Sequence, residues 1–141
     1  LTAYVHTLEE KKRNKINCYH AGVWNEKTIL TYGNEEKSSR EAFSILKNTN
    51  GTEVVVDKLD SILKNQKVTW IKMDIEGAEL NALIGAEQII KMQRPKLAIC
   101  LYHKLEDFWK IPSYLKKIVP EYQLEIRHHG YNFYGTVLYA R

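Results

Sequence analysis

Two nearly uninterrupted apolar runs, Val68 to Met73 (VTWIKM) and Lys96 to Tyr102 (KLAICLY), mark the second half of the chain, and the apolar residues between them recur at helical spacing. The first run is rich in β-branched and aromatic residues, with Lys72 its one charge. That pattern predicts a strand buried on both faces of a parallel sheet. From Ala78 to Met92 the positions Leu80, Leu83, Ile84, Ile89 and Ile90 predict one helix, and Pro95 forbids its continuation, so it should stop near Gln93. Strand, helix and strand together read as a βαβ unit, whose crossover is right-handed and whose strands are parallel.

Around this unit the pattern is shorter in period. Ile16 to Val23 (INCYHAGV) predicts a strand ending at a glycine, then a turn over Trp24 to Lys27 and a second strand from Thr28 to Tyr32. The polar stretch Gly33 to Asn50 reads as a long loop, either a lid or binding segment or a disordered one. Thr52 to Val56 makes another strand, after which Asp60 is placed to cap a brief helix ending at Leu63. Beyond the βαβ unit, Pro112 should open a helix running to Ile118 from its first turn. Tyr122 to His128 and Tyr134 to Tyr139 are separated by a loop short enough to make them an antiparallel pair. Leu1 to Lys12, with Leu1, Val5 and Leu8 on one face, reads as the tail of a helix already under way.

The chemistry concentrates where the first apolar run ends. The strand runs into Asp74 and Glu76, Gly77 permits a turn, and Glu79 falls at the start of the helix. One reading is electrostatic only: carboxylates near a helix N-terminus contribute about 0.3–1 kcal/mol each. That is the reading for Glu79. For Asp74 and Glu76 the other reading is that they face the crevice at the carboxyl ends of the strands, where ligands of open α/β sheets bind. His103 ends the next parallel strand, so it reaches the same rim as Asp74. Its reference pKa near 6.5 suits a general base, with Asp74 orienting the ring, the acceptor or a cofactor; the alternative is a core histidine bonded to backbone. Glu76 either shares the role of Asp74 or holds the turn, and Lys72 should pair with a nearby carboxylate. Asp74, Glu76 and His103 are also chemically reasonable ligands for magnesium or manganese. Their spacing adds no support, and no metal is assigned. Arg127 and His128, beside His129 and Tyr131, form a group of polar donors suited to a hydroxylated or anionic acceptor, or else a solvated strand end. The three tryptophans, Trp24, Trp70 and Trp109, are read as packing.

Composition narrows the class. Of 141 residues, 44% are hydrophobic and 27% charged, and no apolar run approaches the roughly 18 residues of a membrane span. The net charge of +4 arises from 21 basic and 17 acidic residues that are mostly interspersed, which gives nucleic-acid binding little support. Two cysteines, Cys18 and Cys100, lie in strand-like apolar contexts and read as buried, reduced thiols, which fits a cytoplasmic protein.

Taken in order, the elements resemble class I S-adenosylmethionine-dependent methyltransferases: an α/β, Rossmann-like, mostly parallel sheet finished by an antiparallel pair. The segments VVVDKLDSIL, VTWIKMDIEGAELNALIGAEQII, RPKLAICLYHKLEDFWKIPSYLKKIVPEYQLEIRHH and VLYA look like the FkbM-type methyltransferase family. The pairing of KMDIEGAE with LYHK carries most of that likeness. The resemblance implies a single partial domain over residues 1–141 that lacks the first two strands of a seven-stranded sheet, together with their glycine-rich turn and ribose-binding acid. It implies S-adenosylmethionine as cofactor, with Gly22, Val23 and Asp74 on the cofactor side. It implies O-methylation of a small molecule or a glycan sugar, with Asp74, His103 and Glu76 catalytic and Ser39, Arg127 and His128 toward the acceptor; Ser38 falls in the same variable loop as Ser39. A nicotinamide-dependent oxidoreductase and a non-catalytic Rossmann-like domain share the layered build and remain the alternatives.

Overall fold

The structure is a computed structural model and describes residues 15–33, 44–46, 52–132 and 134–141. Ser38, Ser39 and the helix expected over residues 1–12 lie outside the described residues. Among the described residues the chain forms eight strands and four helices: β1 (Gly22–Val23), β2 (Thr28–Gly33), β3 (Ser44–Leu46), β4 (Thr52–Asp57), α1 (Leu59–Ile62), β5 (Trp70–Met73), α2 (Glu79–Ile84), α3 (Glu87–Gln93), β6 (Lys96–Cys100), α4 (Asp107–Ile118), β7 (Leu124–His128) and β8 (Thr136–Ala140).

The strands make two four-stranded sheets, in the orders β1-β4-β2-β3 and β5-β6-β8-β7. The βαβ unit is as expected, with β5 parallel to β6 and Ile71 level with Leu97. The predicted late pair is also present, β7 antiparallel to β8. The expectation of a mostly parallel sheet needs correction. Among the described residues only β1 with β4 and β5 with β6 run parallel, while β2 pairs antiparallel with both β3 and β4, and β8 pairs antiparallel with both β6 and β7. Short connections favour antiparallel neighbours, and a parallel neighbour needs a crossover long enough for a helix. Two more expectations change here: the strand expected from Ile16 is reduced to Gly22–Val23, and the expected loop after Gly33 contains β3.

The core lies on one face of the second sheet. Ile71, Met73, Leu97, Ile99, Leu138 and Ala140 meet Ala82, Leu83, Ile89 and Ile90 of α2 and α3 and Ile111 and Leu115 of α4. On the opposite face Trp70 and Lys72 are exposed, so β5 is buried on one face and not on two. Trp109 is likewise half-exposed, and Cys18 is exposed, while Cys100 is buried as expected; both cysteines are unbridged.

The helix expected from Ala78 to Met92 is broken at Gly85, and Asp60 accounts for the break. In a continuous helix the amides of Gln88 and Ile89 would bond to the carbonyls four residues back. Here they donate to Oδ2 and Oδ1 of Asp60 at 3.0 and 2.9 Å, and the carbonyl of Gly85 accepts from the Asp60 amide at 3.0 Å. Asp60 therefore caps α3, across the fold, rather than α1, in whose first turn it lies. Asp60→Ala should destabilise the protein by about 0.5–2 kcal/mol, the range for losing an N-cap, as read by chemical denaturation. A change below a few tenths would show that water replaces the carboxylate. The α3 terminus is as predicted, with Gln93 last and Arg94 in the left-handed region before Pro95.

Helix α4 starts at Asp107, so Pro112 sits inside it rather than in its first turn. Proline there removes one backbone bond, but Ile111, Leu115 and Val119 are buried on a single face of the helix, and this packing outweighs the local penalty.

Candidate active site

β5 and β6 end side by side, and the residues that follow them meet. After β5 the backbone turns sharply: Glu76 has φ +56° and Gly77 φ +87°. A left-handed glutamate costs about 1–3 kcal/mol and persists only where its surroundings hold it. Here Nζ of Lys104 donates to the carbonyl of Gly77 and fixes the turn from the loop after β6. A side chain at residue 77 would also meet that lysine, whose Cε lies 2.8 Å from where a Cβ would sit.

His103 occupies the centre. Its Nε2 lies 3.4 Å from Oδ1 of Asp74 and 3.5 Å from Oε2 of Glu76, and its Nδ1 lies 2.9 Å from Oε1 of Glu79. The ring is only 10% exposed and Glu79 is fully buried. The Nδ1 contact has hydrogen-bond length, yet Nδ1 has no aligned partner. Burial works against the charged ring, but the contact with Glu79 and the charges of Glu76 and Asp74 outweigh it and move the imidazole pKa upward. Burial likewise pushes the Glu79 carboxyl up, and the His103 contact and the Ile75 amide, 2.9 Å from Oε1, reverse this to a net lowering.

Asp74 lies at the outer edge, with 39% of its side chain exposed. The Tyr102 hydroxyl donates to its Oδ1 at 2.7 Å, and Nζ of Lys72 approaches Oδ2 at 3.6 Å, as the pairing of Lys72 with a carboxylate requires. Partial burial is outweighed by these donors and by Cys100 and His103, so the carboxyl stays below its usual range. The Cys100 thiol responds in the opposite sense, pushed up to about 11 by burial and by the charge of Asp74. Behind Glu79, Asp107 is 2% exposed; burial and the neighbouring Glu79 charge push its carboxyl up to about 6.

The structure thus brings together three of the residues expected from the sequence, Asp74, Glu76 and His103. Three more belong with them: Glu79, Tyr102 and Lys104. From the sequence, Glu79 is expected to serve the helix start alone. The available signal was its place as the first residue of a helix that must bury one face, four residues after Ile75, whose amide it accepts. The other expected residues lie elsewhere. Gly22 and Val23 pair with Val56 and Asp57 in the first sheet, and a Cβ on Gly22 would come within 2.7 Å of Cγ1 of Val56. Arg127 and His128 are on β7, at the far edge of the second sheet from β5. Successive strand residues face opposite sides, so the two do not line one surface together. Arg127 bonds to Glu125 at 2.7 Å and Nδ1 of His128 lies 2.9 Å from the Thr136 hydroxyl.

The family model for the methyltransferase FkbM domain matches residues 6–133. Among solved structures, the crystal structure of methyltransferase FkbM from Methylobacillus flagellatus KT is similar to this chain, with 29% sequence identity and a TM-score of 0.74. The similarity covers 99% of this chain and 31% of that protein, so the chain spans about a third of its solved relative's length. No curated protein sequence matches the chain significantly.

Proposed function

Because the chain belongs to the FkbM methyltransferase domain family, we propose that its rim serves methyl transfer from S-adenosylmethionine to a hydroxyl of a small molecule or a glycan sugar. The observation that carries this reading is the meeting of Asp74, Glu76 and His103 at adjoining strand ends, where ligands of open α/β sheets bind.

S-adenosylmethionine supplies an electrophilic methyl group with a neutral thioether as leaving group. The donor set suits it: Asp74 and Glu76 offer partly exposed carboxylates to a ligand with an ammonium and a sulfonium centre. Val23 and Gly22 are assigned to the cofactor side on the family resemblance. The chain's own contribution is alignment and proton handling; alignment by itself is worth about 7–11 kcal/mol in an in-line displacement. Nε2 of His103 accepts the hydrogen bond of the acceptor hydroxyl and takes its proton as the oxygen–methyl bond forms; Asp74, held by Tyr102, orients the ring on that side and Glu79 fixes it from behind. The unbridged cysteines support a cytoplasmic setting for this chemistry.

In the full natural protein, calorimetry should detect S-adenosylmethionine binding, and Asp74→Asn should reduce methylation of a hydroxylated acceptor by about 10²-fold. Wild-type turnover in that variant removes Asp74 from the site, and absence of cofactor binding in the unaltered protein removes the function.

A further inference from the structure

We propose that Asp74, Glu79 and His103 form a binding site for a divalent cation of the magnesium or manganese class. One carboxylate oxygen from each acid and one ring nitrogen lie within 4.8 Å of one another, close enough for a small shift to close them on a single ion. Two hard oxygens and one imidazole are the donors that such ions accept, and soft sulfur ligands are absent from the set. The residues come from both strand ends, which the parallel pairing of β5 and β6 holds in register.

A second observation points to a missing ligand. Glu79 is fully buried and aimed into the cluster, with Oε1 against Nδ1 of His103, yet its Oε2 has no hydrogen-bond partner. Oδ2 of Asp107, also buried, lacks a partner too. Buried polar atoms without partners are rare in native proteins, and an unseen ion is one of the standard reasons for them. The charge balance agrees. Asp74, Glu76, Glu79 and Asp107 surround one imidazole, while the Lys104 ammonium is engaged by the Gly77 carbonyl and the Lys72 side chain is 60% exposed on the outer oxygen of Asp74. Glu76, 47% exposed with Oε2 3.5 Å from Nε2, is within reach as a further oxygen ligand.

The inference rests on the proposed use of this rim and refines its proton step. A cation there acidifies an acceptor hydroxyl, whose O–H electron pair stays on oxygen while the proton leaves to water at the exposed rim, so the ring acts as ligand rather than base. The test reads metal uptake directly. Full natural protein freed of metal with a chelator is titrated with manganese, followed by electron paramagnetic resonance and calorimetry. One ion per chain is expected, with affinity reduced at least about tenfold by Asp74→Asn and by Glu79→Gln. Asp74 is half-exposed, so its variant keeps the test independent of core folding; Glu121→Gln, a surface acid paired with Arg94, should leave uptake unchanged. No saturable uptake, or uptake insensitive to both site variants, overturns the cation site. If that same protein still binds S-adenosylmethionine, the methyl-transfer reading stands; manganese uptake without cofactor binding removes that reading and keeps the cation site.

Discussion

Replacing His103 by alanine in the full natural protein should lower methyl transfer by about 10²–10⁴-fold, the usual contribution of a positioned proton-handling group. The size follows from placement. His103 contacts Asp74, Glu76 and Glu79 together, so its loss removes the ring that takes the acceptor's proton or helps hold the cation that acidifies it, and with it the link between the buried and exposed carboxylates. The ring lies in the turn after β6 and outside the apolar cluster, so the sheet and its helices should survive. Binding of S-adenosylmethionine should change far less than turnover, because the ring faces carboxylates and the substitution adds no bulk. The check is a single-turnover methylation assay beside cofactor calorimetry and circular dichroism. Near-normal turnover in a folded variant would remove His103 from the chemistry.

Gly85→Ala should destabilise the fold by about 1–3 kcal/mol, an effect of overpacking. Two opposing effects meet at this residue. Its φ of −71° is ordinary for any amino acid, and alanine is a better helix former than glycine by about 1 kcal/mol, so helix propensity alone predicts stabilisation. The surroundings decide otherwise. A Cβ at residue 85 would stand 1.9 Å from the carbonyl oxygen of Trp24, 3.0 Å from its carbon and 3.3 Å from Cα of Lys58. All three are backbone atoms, and the Asp60 amide holds the Gly85 carbonyl from the same side. Relief therefore requires the backbone at Trp24, just after β1, and at Lys58, just before α1, to move away from the junction of α2 and α3. Denaturant titration with the urea midpoint as readout decides the sign, and a variant as stable as the parent would show that this seam is not tightly closed.

Some of this was open to direct reading because the signals were local. The apolar run Val68 to Met73, the helical spacing after Ala78, the stop at Pro95 and the short link between β7 and β8 each rest on residues adjacent in the chain. Asp74 and His103 could be matched because parallel strands that follow one another place their ends at one rim, a consequence of order alone. Asp60 shows where such reading fails. As a residue type it is a good cap, but nothing near it in sequence reveals that its carboxylate serves Gln88 and Ile89. Pro112 differs from its local expectation for a related reason: its preference for a helix start is overridden by burial of Ile111 and Leu115, which depends on what the helix packs against.

The sequence by itself determined the βαβ unit, the antiparallel pair after it and the identity of the acids and imidazole at the strand ends, because periodicity and turn chemistry act over a few residues. Only the tertiary structure decided that Glu79 turns inward against His103, that Lys104 secures the Gly77 turn, that Arg127 and His128 part to opposite sides of a distant strand, and that β8 lies between β6 and β7. Those facts depend on which surfaces meet after the chain has folded. Burial then sets the charge state and partners of each group, and residue type alone does not fix burial.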